Sequence, residues 1–134
     1  MKIYRQLSIF LDNRPGTLAR VCSALSRNGI NIFALTVSDS IDHAVVRIVV
    51  SDARKAAHLL GDAGILVLEK DVLCVPILNQ AGVLARIASQ LAKAKINIEY
   101  AYCTAEESMK KGLLVLRAND SRKALQILKH IQRK

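Results

Sequence analysis

The stretch Asn13-Arg14-Pro15-Gly16-Thr17-Leu18-Ala19-Arg20 returns 66 positions later (79 − 13 = 66) as Asn79-Gln80-Ala81-Gly82-Val83-Leu84-Ala85-Arg86. Asparagine, glycine, leucine, alanine and arginine occupy the same places in both stretches. A motif of this length that recurs within one chain is typical of a protein built from two copies of one structural unit. The chain is therefore expected to contain one fold twice.

The match continues beyond this motif. Ile30-Asn31-Ile32 recurs as Ile96-Asn97-Ile98 at the same offset of 66. Asp52-Ala53-Arg54-Lys55-Ala56 recurs as Asp120-Ser121-Arg122-Lys123-Ala124, but at an offset of 68. This change of offset (68 − 66 = 2) predicts two extra residues in the second copy, and we place them within residues 105–110.

Hydrophobic periodicity changes in the same order in both copies. Alternating apolar residues predict strands, apolar residues spaced by three or four predict amphipathic helices, and glycine marks the helix ends. The predicted elements of the first copy are strand 3–11, a turn at 12–15, a helix from Pro15 to Asn28-Gly29, strands 30–37 and 44–50 on either side of a turn at 38–42, a helix from Asp52 to Leu60, and strand 65–68. Those of the second copy are a helix containing Leu84, Ile87, Ala88 and Leu91, strands 97–102 and 113–116, and helix 124–131.

The order βαββαβ predicts an α+β protein of two ferredoxin-like units, each with an antiparallel sheet and helices on one face. The units are expected at residues 1–69 and 70–134. Residues 65–78 should form the last strand of the first unit and, after a bend near 69–71, the first strand of the second. The sequence leaves too few residues after the final helix for another strand, so we expect the second unit to lack its last strand. We expect another segment or another chain to cover the edge left open.

Composition excludes several classes of protein. The chain has 134 residues, 51% hydrophobic and 23% charged, with a net charge of +9. It contains no apolar run of the roughly 18 residues that a membrane span requires, and its start does not resemble a signal peptide. The three cysteines are far apart and odd in number, which predicts neither a disulfide framework nor a thiolate metal site and favours the reducing cytoplasm.

The candidate site is the turn from the first strand into the first helix of each copy. A helix N-terminus presents free backbone N–H groups that attract a carboxylate or phosphate. Gly16 and Gly82 allow a ligand to approach the backbone closely. Asn13 and Asn79 can donate and accept hydrogen bonds, which suits a zwitterion. An asparagine before a helix is also a common cap, so the recurrence is explained equally by a ligand or by a folding requirement.

The chain resembles a tandem pair of ACT domains, which are small regulatory modules that bind amino acids. The family's βαββαβ order covers nearly the whole chain, and its Asn/Asp-x-Pro-Gly-x-Leu turn stands here at residues 13–18. The second copy departs from that pattern, because Ala81 replaces the proline and Gln80 replaces the arginine. We expect its turn to be less rigid.

The resemblance implies a non-enzymatic sensor without a cofactor or bound metal. Its amino-acid ligand would lie between ACT units, and the protein would form a homodimer and pass ligand occupancy to a regulated protein partner. The candidate ligand-binding residues are Asn13, Arg14, Pro15, Gly16, Thr17, Leu18, Asn31, Ile32, Asn79, Gln80, Ala81, Gly82, Val83, Leu84, Asn97 and Ile98.

The alternative function is nucleic-acid binding, since RNA-recognition domains share this fold order and the chain is basic. Residues 67–134 carry 12 basic and 6 acidic groups, against 8 and 5 in residues 1–66. RNA-recognition sheets stack bases on aromatic residues of the first and third strands, whereas residues 44–50 contain none. The sequence also shows no C-x-x-C metal loop, no paired carboxylates and no catalytic triad. We therefore expect neither metal binding nor catalysis.

Overall fold

The computed structural model describes residues 1–39 and 43–132, without the side chains of Ile131 and Gln132. Its elements confirm the predicted α+β class. In chain order they are β1 (Lys2–Asp12), α1 (Thr17–Arg27), β2 (Ile32–Asp39), β3 (His43–Val50), α2 (Ala53–Asp62), β4 (Leu66–Leu78), α3 (Val83–Lys93), β5 (Ile98–Thr104), β6 (Lys111–Ala118) and α4 (Ser121–Gln132).

Residue contacts divide the chain into two compact units. The first unit consists of Arg5–Lys70, and the second unit consists of Met1–Tyr4 together with the chain from Asp71 onward. The sequence placed the corresponding units at 1–69 and 70–134. The strands β1 and β4 each contribute residues to both units, because the divisions at Tyr4 and Lys70 fall inside them.

In the first unit the strands lie in the order β2-β3-β1-β4. The pairs β1–β3 and β2–β3 are antiparallel, and their registers place Leu7 and Leu35 on either side of Ile48. Inward-facing residues of the strands alternate with outward-facing ones, whereas α1 and α2 bury residues four apart. The buried core contains Leu7, Ile9, Leu11, Val21, Leu25, Ile30, Val46, Ile48, Val50, Ala56 and Leu60.

The second unit repeats this arrangement with β4, β6 and β5. Both strand pairs are antiparallel, with Leu73 and Ala101 on either side of Leu116. The buried core contains Leu73, Val75, Ile77, Ile87, Leu91, Ile96, Leu114, Leu116, Ala118, Ala124 and Leu128. The predicted extra residues, 105–110, lie between β5 and β6.

The start of the chain covers the edge that the missing strand leaves open in the second unit. After α4 begins, the described residues form no further strand. Strand β1 is the hydrogen-bonded neighbour of β4, and its first residues belong to the second unit. Met1 and Ile3 pack against the core of that unit. The segment that we expected at this edge is therefore part of the same chain.

Several predicted boundaries were wrong by a few residues. Helix α1 begins at Thr17 rather than near Pro15, because Gly16 adopts a left-handed conformation with φ 89° that an α-helix cannot include. Helix α2 continues through Gly61 to Asp62. Strand β4 runs without interruption through residues 69–71, and its residues belong to both units.

The turn predicted at 38–42 lies partly outside the described residues. Residues 38 and 39 belong to β2, and residues 40–42 are not described.

The repeated Asp-x-x-Lys sequence has a structural cause in both units. Asp52 Oδ1 accepts a hydrogen bond from the backbone N–H of Lys55 at 3.0 Å and so caps α2. The Lys55 ammonium donates to the carbonyl of Asn28 at 2.9 Å, just after the end of α1. The second unit repeats both bonds. Asp120 Oδ1 accepts from the backbone N–H of Lys123 at 3.1 Å, and the Lys123 ammonium donates to the carbonyl of Ala94 at 3.3 Å.

We expect Ile3→Ala to destabilise the second unit. Truncating a fully buried isoleucine costs about 2–5 kcal/mol, and the half-buried position of Ile3 reduces this to about 1–2 kcal/mol. Denaturant unfolding measures the loss, and hydrogen exchange should accelerate at the β4 amides of residues 72–75 and 77. The exposed neighbour gives the control: Lys2→Arg keeps a cation beside the Tyr4 ring, whose centre lies 4.8 Å from the Lys2 ammonium, and should change stability by less than about 0.5 kcal/mol. Equal effects of the two substitutions would contradict this role of the first residues.

Candidate functional site

The turns before α1 and α3 have the same backbone conformation. Gly16 has φ 89° and ψ −12°, and Gly82 has φ 91° and ψ −12°. Both values lie in the left-handed region that glycine adopts without strain. The second turn keeps this geometry although it has Ala81 in place of Pro15. Replacing the proline therefore leaves the shape of the turn unchanged.

The N-termini of α1 and α3 are open, whereas those of α2 and α4 are capped by aspartate. The residues at the N-cap positions of α1 and α3 are Gly16 and Gly82, and neither helix has a side-chain cap. Asn13 and Asn79 therefore do not act as N-caps. The first N–H groups of a helix have no intrahelical acceptor, so the first turns of α1 and α3 keep N–H groups free to bind an anion.

Each open helix end carries an additional positive charge. The first turns of α1 and α3 contain no acidic residue. The fourth helical residue is an exposed arginine in both helices, Arg20 in α1 and Arg86 in α3. A cation near a helix N-terminus is unfavourable, because the helix dipole is positive there, and an anion at the same place is favourable by about 0.3–1 kcal/mol. The helix ends with their arginines can therefore attract an anion.

Hydrogen bonds within the first turn hold its shape. An Arg14 guanidinium nitrogen, Nη2, lies 3.0 Å from Asp12 Oδ2. The Thr17 hydroxyl lies within donating distance of the carbonyls of Asp12, at 3.0 Å, and Arg14, at 3.1 Å. Asp12 balances the charge of Arg14, which leaves Arg20 as the arginine at this helix end without an ion pair among the described residues.

The second turn is held by the extra residues of its unit instead. The Asn79 amide nitrogen donates to the carbonyls of Glu106 at 3.0 Å and Met109 at 2.8 Å. The Asn79 backbone N–H donates to the carbonyl of Lys110 at 2.8 Å. Both side-chain amide hydrogens are therefore used within the protein, and Oδ1 is the part of Asn79 that can accept a hydrogen bond from a ligand.

The asparagine of the recurrent Ile-Asn-Ile sequence makes two backbone hydrogen bonds in each unit. The Asn31 backbone N–H donates to Ser51 Oγ at 2.9 Å, and its carbonyl accepts from the Ser51 backbone N–H at 2.9 Å. Asn97 makes the same two bonds with Asn119, at 3.0 and 3.1 Å. We expected these backbone groups to contact the ligand. They are already occupied by hydrogen bonds that join the start of β2 or β5 to the segment before the next helix.

The remaining candidate residues fall into two groups. Pro15, Gln80 and Ala81 are exposed in the turns. Partly buried apolar side chains form the second group: Leu18 and Ile32 pack against the first core, and Val83 and Ile98 against the second.

A cavity of about 780 Å³ lies beside α1 in the first unit. Arg14 and Thr17 line it together with two arginines outside the predicted set, Arg20 and Arg27. The cavity extends to the end of α2 and the residues after it. Arg20 could have been found from the sequence, because it recurs as Arg86 within the repeated motif.

A smaller cavity of about 240 Å³ lies between α3 and the strands β5 and β6 in the second unit. It contains two of the candidate residues, Leu84 and Ile98. Its other lining residues were not predicted, because their approach depends on the strand register. All the lining residues are Leu84, Ile87, Ala88, Ile98, Ala101, Tyr102, Cys103, Leu114 and Leu116.

The described residues include no group of three or more histidine, cysteine or acidic side chains placed to hold a metal ion. The three cysteines are free thiols. Burial raises the pKa of the Cys74 thiol from 9.0 to about 11, because the thiolate would lose its hydration. Cys103 is exposed at the small cavity of the second unit. No helix among the described residues is long and apolar enough to span a membrane.

Comparison with known proteins gives one family. The family model for an ACT domain pair matches residues 1–133. Protein BT0572 from Bacteroides thetaiotaomicron has a similar structure, with a TM-score of 0.89 and 32% identity over 97% of this chain and 89% of that chain. No curated protein has a significantly similar sequence.

More distant structures share the fold. The ligand-free regulatory subunit of aspartate kinase from Thermus thermophilus has a TM-score of 0.70 and 19% identity, over 97% of both chains. The corresponding subunit from Thermus flavus has a TM-score of 0.67 and 21% identity, over 97% of this chain and 92% of that chain.

We expect Cys103 to react with iodoacetamide at pH 8 while Cys74 stays unmodified. At three pH units below its pKa, only about one Cys74 thiol in a thousand is ionised, and burial hinders access as well. Mass spectrometry of peptides measures both sites, and denatured protein gives the control in which both react.

The raised pKa also predicts a pH dependence of stability. A thiol whose pKa is higher in the folded state stabilises the protonated folded form, so stability should fall as the pH rises above the ordinary thiol pKa of 9.0. Cys74→Ala should remove this part of the alkaline loss. An unchanged slope between pH 9 and 11 in the variant would contradict the assignment.

Proposed function

Because the chain belongs to the family of ACT domain pairs, we propose that it is a non-catalytic regulatory sensor for an amino acid or a similar small zwitterion. The observation that carries this proposal is the contrast between the helix ends. Helices α2 and α4 are capped by Asp52 and Asp120, whereas α1 and α3 begin at a left-handed glycine without a side-chain cap. The open ends are those at the repeated turn.

The two open ends suit a carboxylate. Backbone N–H groups in the first turn can donate to its oxygens, and Gly16 and Gly82 have no other heavy atom within 4 Å of the position a Cβ would occupy. The exposed arginines Arg20 and Arg86 add long-range attraction. The ligand's ammonium can be bound by carbonyl or side-chain oxygens near the turn, such as Oδ1 of Asn79.

One helix end does not hold a ligand by itself. A charge at a helix N-terminus gains about 0.3–1 kcal/mol, or up to about 2 when partly buried. Millimolar to micromolar binding requires about 4–8 kcal/mol. A second wall must therefore enclose the ligand, and we propose that an ACT unit of a second copy of the chain supplies it. Ligand binding would then favour one arrangement of the dimer, which a regulated protein partner reads.

A thermal-shift screen against the twenty amino acids tests the proposal. A ligand at one hundred times its Kd should stabilise the protein by about 2.7 kcal/mol, which is about 10 °C in Tm for a chain of this length. No shift with any amino acid at tens of millimolar would contradict an amino-acid sensor. A flat screen together with salt-sensitive RNA binding would favour the nucleic-acid function.

A carboxylate built into the helix end should compete with the ligand. Ala19 and Ala85 are exposed third residues of α1 and α3, and a glutamate there can fold back onto the free N–H groups. We expect Ala19→Glu with Ala85→Glu to weaken binding at least tenfold, while stability stays equal or rises by about 0.3–1 kcal/mol. Titration calorimetry measures the affinity.

The matched control replaces the same two residues by glutamine. Glutamine has the same length without the charge, so it should weaken binding less than glutamate does. Equal affinities of the two double variants would show that the ligand does not use the positive helix ends.

A further inference from the structure

The small cavity of the second unit is lined by two alanines that stand where the first unit has larger residues. Strand pairing defines the equivalent positions without ambiguity. Ala101 lies opposite Leu116 in the second unit, and Leu35 lies opposite Ile48 in the first. Ala101 is therefore the structural counterpart of Leu35, and the first unit carries three more carbon atoms at this point.

The helix side of the cavity shows the same difference. Ala88 of α3 is 66 residues after Cys22 of α1 (88 − 22 = 66), the offset of the repeated motif. Leu84, Ile87, Leu114 and Leu116 keep large apolar side chains as the remaining walls. The second unit thus has an apolar cavity of about 240 Å³ that opens to solvent. Cavities of about 150 Å³ lined by similar residues bind benzene.

The cavity begins at the open end of α3. Leu84 is the second residue of α3, so its backbone N–H belongs to the uncapped first turn, while its side chain lines the cavity. A ligand whose carboxylate binds that turn would direct its side chain past Leu84. The lining is mostly apolar, so it would leave a polar ligand side chain without most of its hydrogen bonds, which is costly.

We infer that the second unit selects amino acids with an apolar side chain, from the size of valine to that of phenylalanine, and that this side chain occupies the cavity between α3 and β5. The inference rests on the proposed function and names the ligand class for that site. The two units would then differ in role, because Leu35 and Cys22 of the first unit are larger than Ala101 and Ala88 at the equivalent positions.

Titration calorimetry with pairs of amino acids of nearly equal size tests the inference. The pairs are valine with threonine and leucine with asparagine. We expect the apolar member of each pair to bind roughly 10- to 100-fold more tightly, because the cavity rewards burial of methyl groups and offers few partners for a hydroxyl or amide.

Variants that fill the cavity give the second measurement. Ala101→Leu introduces the residue that the first unit has at this position, and Ala88→Leu fills the cavity from the helix side. Each should weaken leucine binding at least tenfold. Ala92→Leu is the matched control, because Ala92 is exposed on the same helix and does not line the cavity. Its affinity should stay within twofold of the unchanged protein.

Alkylation of Cys103 measures occupancy of the cavity in a protein whose cavity residues are unchanged. Cys103 lines the cavity and is exposed, so saturating leucine should slow its alkylation, whereas the same concentration of asparagine should not. Cys22→Ser removes the other partly exposed thiol.

The possible results separate the two proposals. Binding of polar and apolar amino acids with equal affinity, or unchanged leucine affinity in both Ala101→Leu and Ala88→Leu, would overturn the inference and leave the sensor function standing. Absence of binding by every amino acid would overturn both.

Discussion

A left-handed glycine at the end of each repeated turn is the constraint on which the rest of the site depends. Because Gly16 and Gly82 hold φ near +90°, the chain leaves its strand and enters the helix without a residue whose side chain could cap it. The first N–H groups of α1 and α3 stay open as a direct result. At α2 and α4 an aspartate precedes the helix instead. Its carboxylate accepts a hydrogen bond from a backbone N–H of the first turn, so these helix ends are capped within the protein.

The repeat conserves two kinds of feature, and their contacts distinguish them. The Asp-x-x-Lys and Ile-Asn-Ile sequences recur because they tie elements of each unit together, through Lys55 to the end of α1 and through Asn31 to Ser51. Arg20 and Arg86 make no such bond among the described residues, and they stand where the helix dipole opposes them. Recurrence without an internal hydrogen bond is consistent with the anion site that we propose.

Much of the fold could be predicted from the sequence, because each element is encoded locally. Hydrophobic periods of 3.6 and 2 identified the helices and strands, and the repeat supplied their order. The role of Met1–Tyr4 could not be predicted. The hydrophobic pattern of residues 3–11 predicts one continuous strand, and no local sequence signal indicates that this strand belongs to two units. The cavity at Ala88 and Ala101 was missed for a related reason: the two alanines are distant in sequence, and only the register of β5 on β6 brings them together.

The shared first strand has a consequence for how the protein is made. Synthesis proceeds from the N-terminus at about 5–20 residues per second, so Met1–Tyr4 leave the ribosome several seconds before the strand they pair with. The first unit can fold as soon as β4 emerges. The second unit requires Met1–Tyr4 to remain accessible until the residues from Asp71 onward have been synthesised. Contacts between residues so distant in sequence slow folding. A fragment beginning at Asp71 would be synthesised without the strand that completes its sheet.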